Sequence, residues 1–229
     1  MEACGDIALR QHYKGKFDAS LFQGALENYI NIQKCSVLHK DKFLDIGVPC
    51  WSLDYLPDFY AEMLDDEKYM QWLDLGEDKL AQLKDRQTIL KDLCAELDSY
   101  NLPQVLNHAD FQDNNTVIDK RNNTLSIIDW GEVYWGNPLI STYSALIRLT
   151  YFDTVDKNSD EYHRLLRLVF ESWDIPANKH AELDQLLYTF NNIYYVLVFY
   201  NLSKMIDYNF PNWRERLQTP LNNFLDRTN

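Results

Sequence analysis

Between His108 and Pro138 the chain gathers a close set of potentially reactive side chains: His108-Ala109-Asp110-Phe111-Gln112-Asp113-Asn114-Asn115, two β-branched arms, then Ile128-Asp129-Trp130-Gly131. Asp110 can take a proton from a hydroxyl. Asn115 and Asp129 offer the amide and carboxylate oxygens that a hard cation such as Mg2+ prefers. Moving a phosphoryl group from a nucleotide requires a group that orients the acceptor hydroxyl and takes its proton, oxygen ligands for Mg2+, and a cradle for the phosphates. The segment supplies the first two. Asp110 is the candidate base, Asn115 and Asp129 are the candidate contacts to the metal and the nucleotide it carries, and His108 is expected to hold the loop by hydrogen bonding. Each residue alone is a weak signal, because an isolated Asp or an Asn-Asn pair is ordinary turn chemistry. Their combined spacing is what points to a site.

A hairpin accounts for that spacing. Thr116-Val117-Ile118 and Leu125-Ser126-Ile127-Ile128 read as arms around a Lys120-Arg121-Asn122-Asn123 turn, and antiparallel arms can return Asp129 to the neighbourhood of Asn115. Elsewhere the period is helical. Asp18 is placed to cap a helix with Phe22, Ala25, Leu26, Tyr29 and Ile32 on one face, running to about Ile46 before Gly47 and Pro49. A short helix is expected near Leu56 to Asp65. The segment from Glu77 to Ser99 carries Leu80, Leu83, Leu90, Leu93, Cys94 and Leu97 at core spacing. After Pro138, helices are expected over Leu139 to Phe152, Asp160 to Trp173, Ala177 to Tyr208 and Trp213 to Asp226. The third is apolar nearly all round near Tyr194 to Tyr200, as a buried helix would be, with a strand as the alternative. The expected fold is mainly α, a helical bundle with one small β-hairpin carrying the catalytic and metal-binding loops.

Composition narrows the classes. The 229 residues are 46% hydrophobic and 14% aromatic, with no apolar run near the roughly 18 residues of a membrane span. The first residues show neither a basic nor an apolar leader region, so a cytoplasmic location is expected. A formal net charge of −13 argues against nucleic acid as partner. That charge could draw a cationic substrate, or simply maintain solubility. Four cysteines and five histidines are scattered without a C-x-x-C or H-E-x-x-H pairing, which argues against a transition-metal centre.

The pattern resembles the aminoglycoside phosphotransferase and choline kinase-like family, in which His-Gly-Asp, an Asn five places on, Ile-Asp-Trp and Gly-x-Pro follow in order. Here these are His108-Ala109-Asp110, Asn115, Ile128-Asp129-Trp130 and Gly136-Asn137-Pro138. The resemblance implies a protein kinase-like C-terminal lobe over residues 1–229. Its parts would be a hinge-like start at 1–12 (Gly5 to Arg10 look like the segment just after the interlobe hinge), helices over 13–107, the catalytic loop and hairpin over 108–138, and helices over 139–229. It also implies Asp110 as base, Asn115 and Asp129 as Mg2+ ligands, ATP or GTP as donor, and a small hydroxyl-bearing acceptor such as a cationic amino-sugar or amino-alcohol. Two residues depart from the pattern: Ala109 stands for the usual Gly, and Ser141 stands where an Asp commonly opens the next helix. A third departure is an expectation about extent. The family's β-rich N-terminal lobe, with its phosphate-covering loop and Lys–Glu pair, finds no counterpart before His108, where no G-x-G occurs. The function expected is therefore small-molecule O-phosphotransfer. The alternative is a non-catalytic kinase-like C-lobe that binds a ligand or partner, and a Mg2+-dependent hydrolase built on Asp110 and Asp129 is a third reading. Acidic residues of the later helices, Asp156, Asp160, Glu161, Glu171, Glu182 and Asp184, are candidate substrate-facing groups or parts of a solvated face.

Overall fold

A computed structural model of the chain describes residues 5–153, 155–206 and 212–228. In chain order these form β1 (Ile7–Ala8), α1 (Leu9–Tyr13), α2 (Ala19–Ser36), a 3-10 turn and α3 (Lys40–Asp45), β2 (Cys50–Trp51), α4 (Leu56–Asp65), α5 (Glu67–Leu73), α6 (Glu77–Asp85) and α7 (Gln87–Asp98). Then come β3 (Val105–His108), a 3-10 turn (Asp113–Asn115), β4 (Thr116–Asp119), β5 (Thr124–Ile127), β6 (Val133–Gly136), α8 (Pro138–Phe152), α9 (Asp160–Ser172), α10 (His180–Ile206) and α11 (Trp213–Arg227). The chain divides into two compact units: Met1–Cys50 with Leu102–His180, and Trp51–Asn101 with Ala181–Asn229.

The first unit holds the whole segment singled out by its chemistry. The hairpin forms as its β-branched arms require, with Thr116 opposite Ile127 and Asp119 opposite Thr124. Asn123 closes the turn in the left-handed region at φ 58°, a conformation Asn tolerates better than most residues. β1 extends this sheet on the other side of β4, with Ile7 opposite Ile118. Gly5 permits the approach, since a Cβ there would stand 2.8 Å from Val117 Cγ2. A second antiparallel pair sets β3 against β6, from Val105 opposite Gly136 to His108 opposite Val133. All four residues of β3 are buried. α2 lays Phe22, Ala25, Leu26, Tyr29, Ile30 and Gln33 against β3, β5, α8 and α9, and so forms the wall behind the loop. Asn137 caps α8 by accepting from Leu139 N–H at 2.9 Å, with Pro138 in the first turn, which gives the Gly-x-Pro motif its physical sense.

The second unit is helical. Phe59, Tyr60, Met63, Leu83, Leu90 and Leu97 pack with Leu183, Phe190, Ile193, Leu197, Leu221 and Phe224 in its core, each at most 3% exposed. Tyr194 to Tyr200 is helical, so the strand alternative does not hold.

Several boundaries differ from expectation. Residues 13–107 are not helical throughout: Cys50–Trp51 and Val105–His108 are strands. β3 was hidden because a strand buried on both faces shows no alternation. The segment from Glu77 to Ser99 breaks at Arg86, whose backbone (φ −85°, ψ 0°) leaves the helical basin, and α5 was not anticipated. The helix from Asp18 tightens into a 3-10 turn after Ser36 before α3. The Tyr208 end of the third helix and Met1 to Cys4 of the hinge-like start lie outside the described residues. Cys35, Cys50 and Cys94 are free thiols, and burial pushes Cys94 up to about 12.

Because α2 backs the loop, its start is a sensitive point that does not touch the site. Asp18 accepts hydrogen bonds from Ser20 N–H at 3.0 Å and Leu21 N–H at 3.1 Å. Asp18→Ala is expected to cost about 1 kcal/mol, read as a lower urea midpoint at unchanged denaturant slope.

Candidate active site

β3 delivers His108 and then Asp110 to a tight turn, and β5 delivers Ile128 and Asp129 beside it. The His108 ring joins the two. Its Nε2–H donates to Ile128 C=O at 2.9 Å, while its Nδ1 accepts from Asp110 N–H at 3.1 Å. This pairing requires the neutral Nε2–H tautomer, and burial pushes the ring's proton affinity down in the same direction. A second tie runs from Ile128 N–H to Asn115 C=O at 2.9 Å. The hairpin therefore does bring the Asn115 and Asp129 segments together, through backbone bonds.

The loop is anchored from behind by a buried relay. His108 N–H donates to Tyr29 Oη at 2.7 Å, Tyr29 Oη and Ser141 Oγ are 2.7 Å apart, and Ser141 Oγ donates to Asn107 Oδ1 at 2.7 Å. Gln33 Nε2 donates to the same Asn107 oxygen at 2.9 Å and to Pro138 C=O at 3.0 Å. Since the Ser141 proton goes to Asn107, the Tyr29 hydroxyl is the donor to Ser141. Burial raises the Tyr29 hydroxyl well above its ordinary value, which keeps that proton in place. Ser141 thus stands where the family pattern has Asp, and with Tyr29 it holds the His108 backbone by a two-hydroxyl path. Phe111 closes the layer, stacked on Tyr29 with ring centroids 4.1 Å apart.

Asp110 is held on both oxygens. Oδ2 accepts from Gln112 Nε2 at 2.7 Å and Asn115 Nδ2 at 2.8 Å, and Oδ1 pairs with Arg148 Nη1 from α8. Asn115 Nδ2 also donates to Asp110 C=O at 2.9 Å, so the amide nitrogen faces the loop and its oxygen is turned the other way. Asp129 is exposed, sits in the left-handed region at φ 64°, and among the described residues makes no hydrogen bond or ion pair. An unpaired carboxylate on a strained backbone is the kind of outlier that functional sites keep.

A family model described as the phosphotransferase enzyme family matches residues 44–173, more than half of the chain. The chain belongs to the phosphotransferase enzyme family. Among solved structures, ethanolamine kinase from Plasmodium vivax is similar, with a TM-score of 0.52 and 17% identity over 99% of this chain and 62% of that one. This likeness shows a kinase-like fold, and the chain spans less than two thirds of that kinase's length. No curated protein matches the chain in sequence. Family members of this fold use a nucleotide and a divalent metal in general.

The residues present suit such an ion. The outward amide oxygen of Asn115 and the exposed Asp129 carboxylate are hard oxygen donors, and Mg2+ commonly takes one or two protein ligands and completes its shell with phosphates and water. Among the described residues no three His, Cys, Asp or Glu side chains converge into an all-protein metal cage.

Three groups of this candidate site escaped sequence reasoning. Arg148 lies nineteen residues beyond Asp129 on a helix whose pattern reads as core. Glu132, half-buried, has its carboxyl raised by burial first and then by Asp110 and Asp129, and its C=O accepts from Ala109 N–H at 2.8 Å. Arg10 forks onto Asp113, with Nε to Oδ2 at 3.2 Å and Nη2 to Oδ1 at 2.5 Å, and also reaches Gln112 Oε1 at 3.3 Å. Only the likeness of Gly5 to Arg10 to a hinge could have hinted at the last. The acidic residues of the later helices are not at this loop's bonds: Asp156, Asp160, Glu161, Glu171 and Glu182 are exposed, and Asp184 is half-buried. Two surface concavities of about 550 and 440 Å3 are lined by residues of the second unit and contain none of Asp110, Asn115 or Asp129. Bonding and charge, rather than enclosure, mark the site.

Two outcomes follow for the loop's supports. Tyr29→Phe strands the buried His108 N–H, and is expected to lower unfolding free energy by about 1–3 kcal/mol, measured by urea denaturation. Asp153, at the end of α8, has Oδ2 buried without a partner, and burial first and then Asp113 push its carboxyl up to about 6. A raised carboxyl favours the folded state while protonated, so its contribution fades as pH rises from about 4 through 6. Solvent screening at this partly exposed group keeps the loss on the order of 1 kcal/mol. Asp153→Asn should therefore gain stability over the parent protein between pH 5 and pH 7, and an equal change in both proteins would sink the assignment.

Proposed function

We propose that the protein is a small-molecule O-phosphotransferase that moves the γ-phosphoryl group of ATP or GTP to a hydroxyl of its acceptor. The observation that carries this reading is the Asp110 carboxylate, fixed by Gln112, Asn115 and Arg148 on a loop whose partner segment presents Asp129. Asp110 orients the acceptor hydroxyl and takes its proton as the new P–O bond forms. Asn115 and Asp129 would hold Mg2+, which supplies charge neutralisation at the phosphate oxygens. His108, neutral and committed through both ring nitrogens, positions the loop and does not act as the base. Ile128 and Asn115, bonded to each other, keep the two oxygen donors on adjacent segments before any ligand arrives. Membership of the phosphotransferase enzyme family supports the reaction class. Among the described residues no helix is long and apolar enough to cross a membrane. A cytoplasmic location, where nucleoside triphosphates and Mg2+ are supplied, is part of this proposal.

The test is nucleoside diphosphate release with Mg2+-ATP and Mg2+-GTP against a collection of hydroxyl compounds. Acceptor-dependent release is expected, falling 10²–10⁴-fold in Asp110→Asn at an unchanged melting temperature. Calorimetric titration with Mg2+-ATP should show metal-dependent binding that Asp129→Ala removes. Undiminished turnover in Asp110→Asn would exclude Asp110 as the base, and no metal-dependent nucleotide binding in the parent protein would favour a non-catalytic binding module.

A further inference from the structure

We infer that Arg10 is a positioning residue for Asp110 and acts through Gln112: it holds the Gln112 amide in the one orientation that keeps the Asp110 carboxylate in place for the acceptor hydroxyl. The inference rests on the phosphotransferase reading of Asp110 and adds to it a residue of α1, 102 positions before Gln112 in the chain.

Gln112 stands between an anion and a cation. Its Nε2 donates to Asp110 Oδ2 at 2.7 Å, and its Oε1 accepts from Arg10 Nη2 at 3.3 Å. A guanidinium only donates hydrogen bonds and an ionised carboxylate only accepts them. One orientation of the amide therefore satisfies both neighbours, and the reverse would set oxygen against carboxylate and nitrogen against guanidinium. With its dipole lying between opposite charges, the amide is polarised by each neighbour in favour of the other.

Arg10 is itself fixed, so it can serve as the reference point. Its Nε and Nη2 fork onto the two oxygens of Asp113, at 3.2 Å and 2.5 Å, and the second N–H of Nη2 is the one that meets Gln112. Its guanidinium carbon lies 4.7 Å from the centre of the Phe152 ring at the end of α8. The Asp113 side chain is 1% exposed, which anchors this fork in the fold rather than at an open surface. The other donor to Asp110 Oδ2 needs no such support, because Asn115 Nδ2 is also held by Asp110 C=O. Gln112 has a longer side chain, and Arg10 is what orders its far end. Without Arg10 that side chain regains torsional freedom, and its bond to Asp110 must be made against the entropy of ordering it.

A double-mutant cycle in the full chain tests the assignment: Gln112→Met, Arg10→Met and the two together. Melting temperatures are recorded throughout. Should Arg10→Met fail to fold, the cycle is run in an Asp113→Asn background, where losing Arg10 leaves no buried carboxylate unpaired. Nucleoside diphosphate release is followed at varied Mg2+-ATP, with water as acceptor and with the hydroxyl compound that most raises release in the parent protein. Each single variant is expected to lose about ten-fold in kcat, as removal of one positioning hydrogen bond supplies, with KM for Mg2+-ATP within about two-fold of the parent. The double variant should be no slower than Gln112→Met, since residues that act in series do not add. Arg10→Lys, whose ammonium can donate to Gln112 Oε1 but cannot fork, should keep part of the rate. The side-chain amide NMR signals of Asn115, which donates to the same Asp110 oxygen, report on the carboxylate without turnover and should shift alike in both single variants. Full kcat in the Arg10 variant, an effect confined to KM, or losses that multiply in the double variant overturn the proposal. Failure of the phosphotransferase reading is seen separately, as a parent protein that turns over no nucleotide with any acceptor. The Asn115 signals then decide the positioning role: a common shift sustains it, and signals unmoved by loss of Arg10 overturn it.

Discussion

The site depends on the backbone N–H of His108 finding a partner where water does not reach. β3 is buried along its full length, and at its end the chain must leave the strand, turn sharply and present Asp110. A buried donor left unpaired there would cost about 1–3 kcal/mol. Tyr29 answers it from α2, Ser141 passes the bond on from α8, and Asn107 receives it beside Gln33. Three elements separated by as many as 112 residues in sequence are thereby tied to one peptide group. The aromatic layer of Phe22, Phe111, Tyr29 and Trp130 packs around the same point and keeps the relay dry, which strengthens each bond in it.

A second consequence is electrostatic. Asp110, Asp129 and Glu132 share a small region, and in the absence of other charges their mutual repulsion would favour protonation of one of them. Arg148 counters this at Asp110, and the raised carboxyl of Glu132 shows where the repulsion is still felt. The outer loop repeats the device: Arg10 neutralises Asp113, which is 1% exposed, and Asp153 is left as the carboxyl pushed toward its protonated form. Gln112 lies between the two clusters, its amide nitrogen on Asp110 and its amide oxygen on Arg10. The short α1 is thus bonded into the loop that carries Asp110 through both Gln112 and Asp113.

Much of this was legible in the sequence. Periodicity placed α4, α8, α9, α10 and α11 closely, and the start of α2 but not its end at Ser36, because each carries a stripe or run of buried apolar residues and a recognisable start or stop. The hairpin was legible from its β-branched arms and Asn-rich turn. β3 was not, since burial on both faces removes alternation, and β6 was masked because Val133-Tyr134-Trp135 is short and its partner distant. The motif residues could be read because their spacing along the chain is itself the geometry of a loop and a hairpin. Arg148, Glu132 and the Tyr29–Ser141 relay could not. Their roles come from tertiary neighbours, and no local rule distinguishes an arginine on an apolar helix from a snorkelling one.

The geometry also separates what ligands must organise from what the fold organises without them. Asn115 and Asp129 are not joined by a side-chain bond. Their segments are joined by Ile128, whose N–H binds Asn115 C=O and whose C=O binds the His108 ring. Both segments are therefore set by backbone and by one neutral imidazole, so under the proposed function a hard cation would meet an arrangement whose ordering was completed in folding. The Asp129 backbone pays for this by standing at φ 64°, outside the regions an L-residue prefers. Relaxing that residue would disturb the two Ile128 bonds immediately before it. The strain and the two hydrogen bonds are therefore parts of a single device, which keeps an exposed carboxylate turned outward next to the loop that holds Asp110.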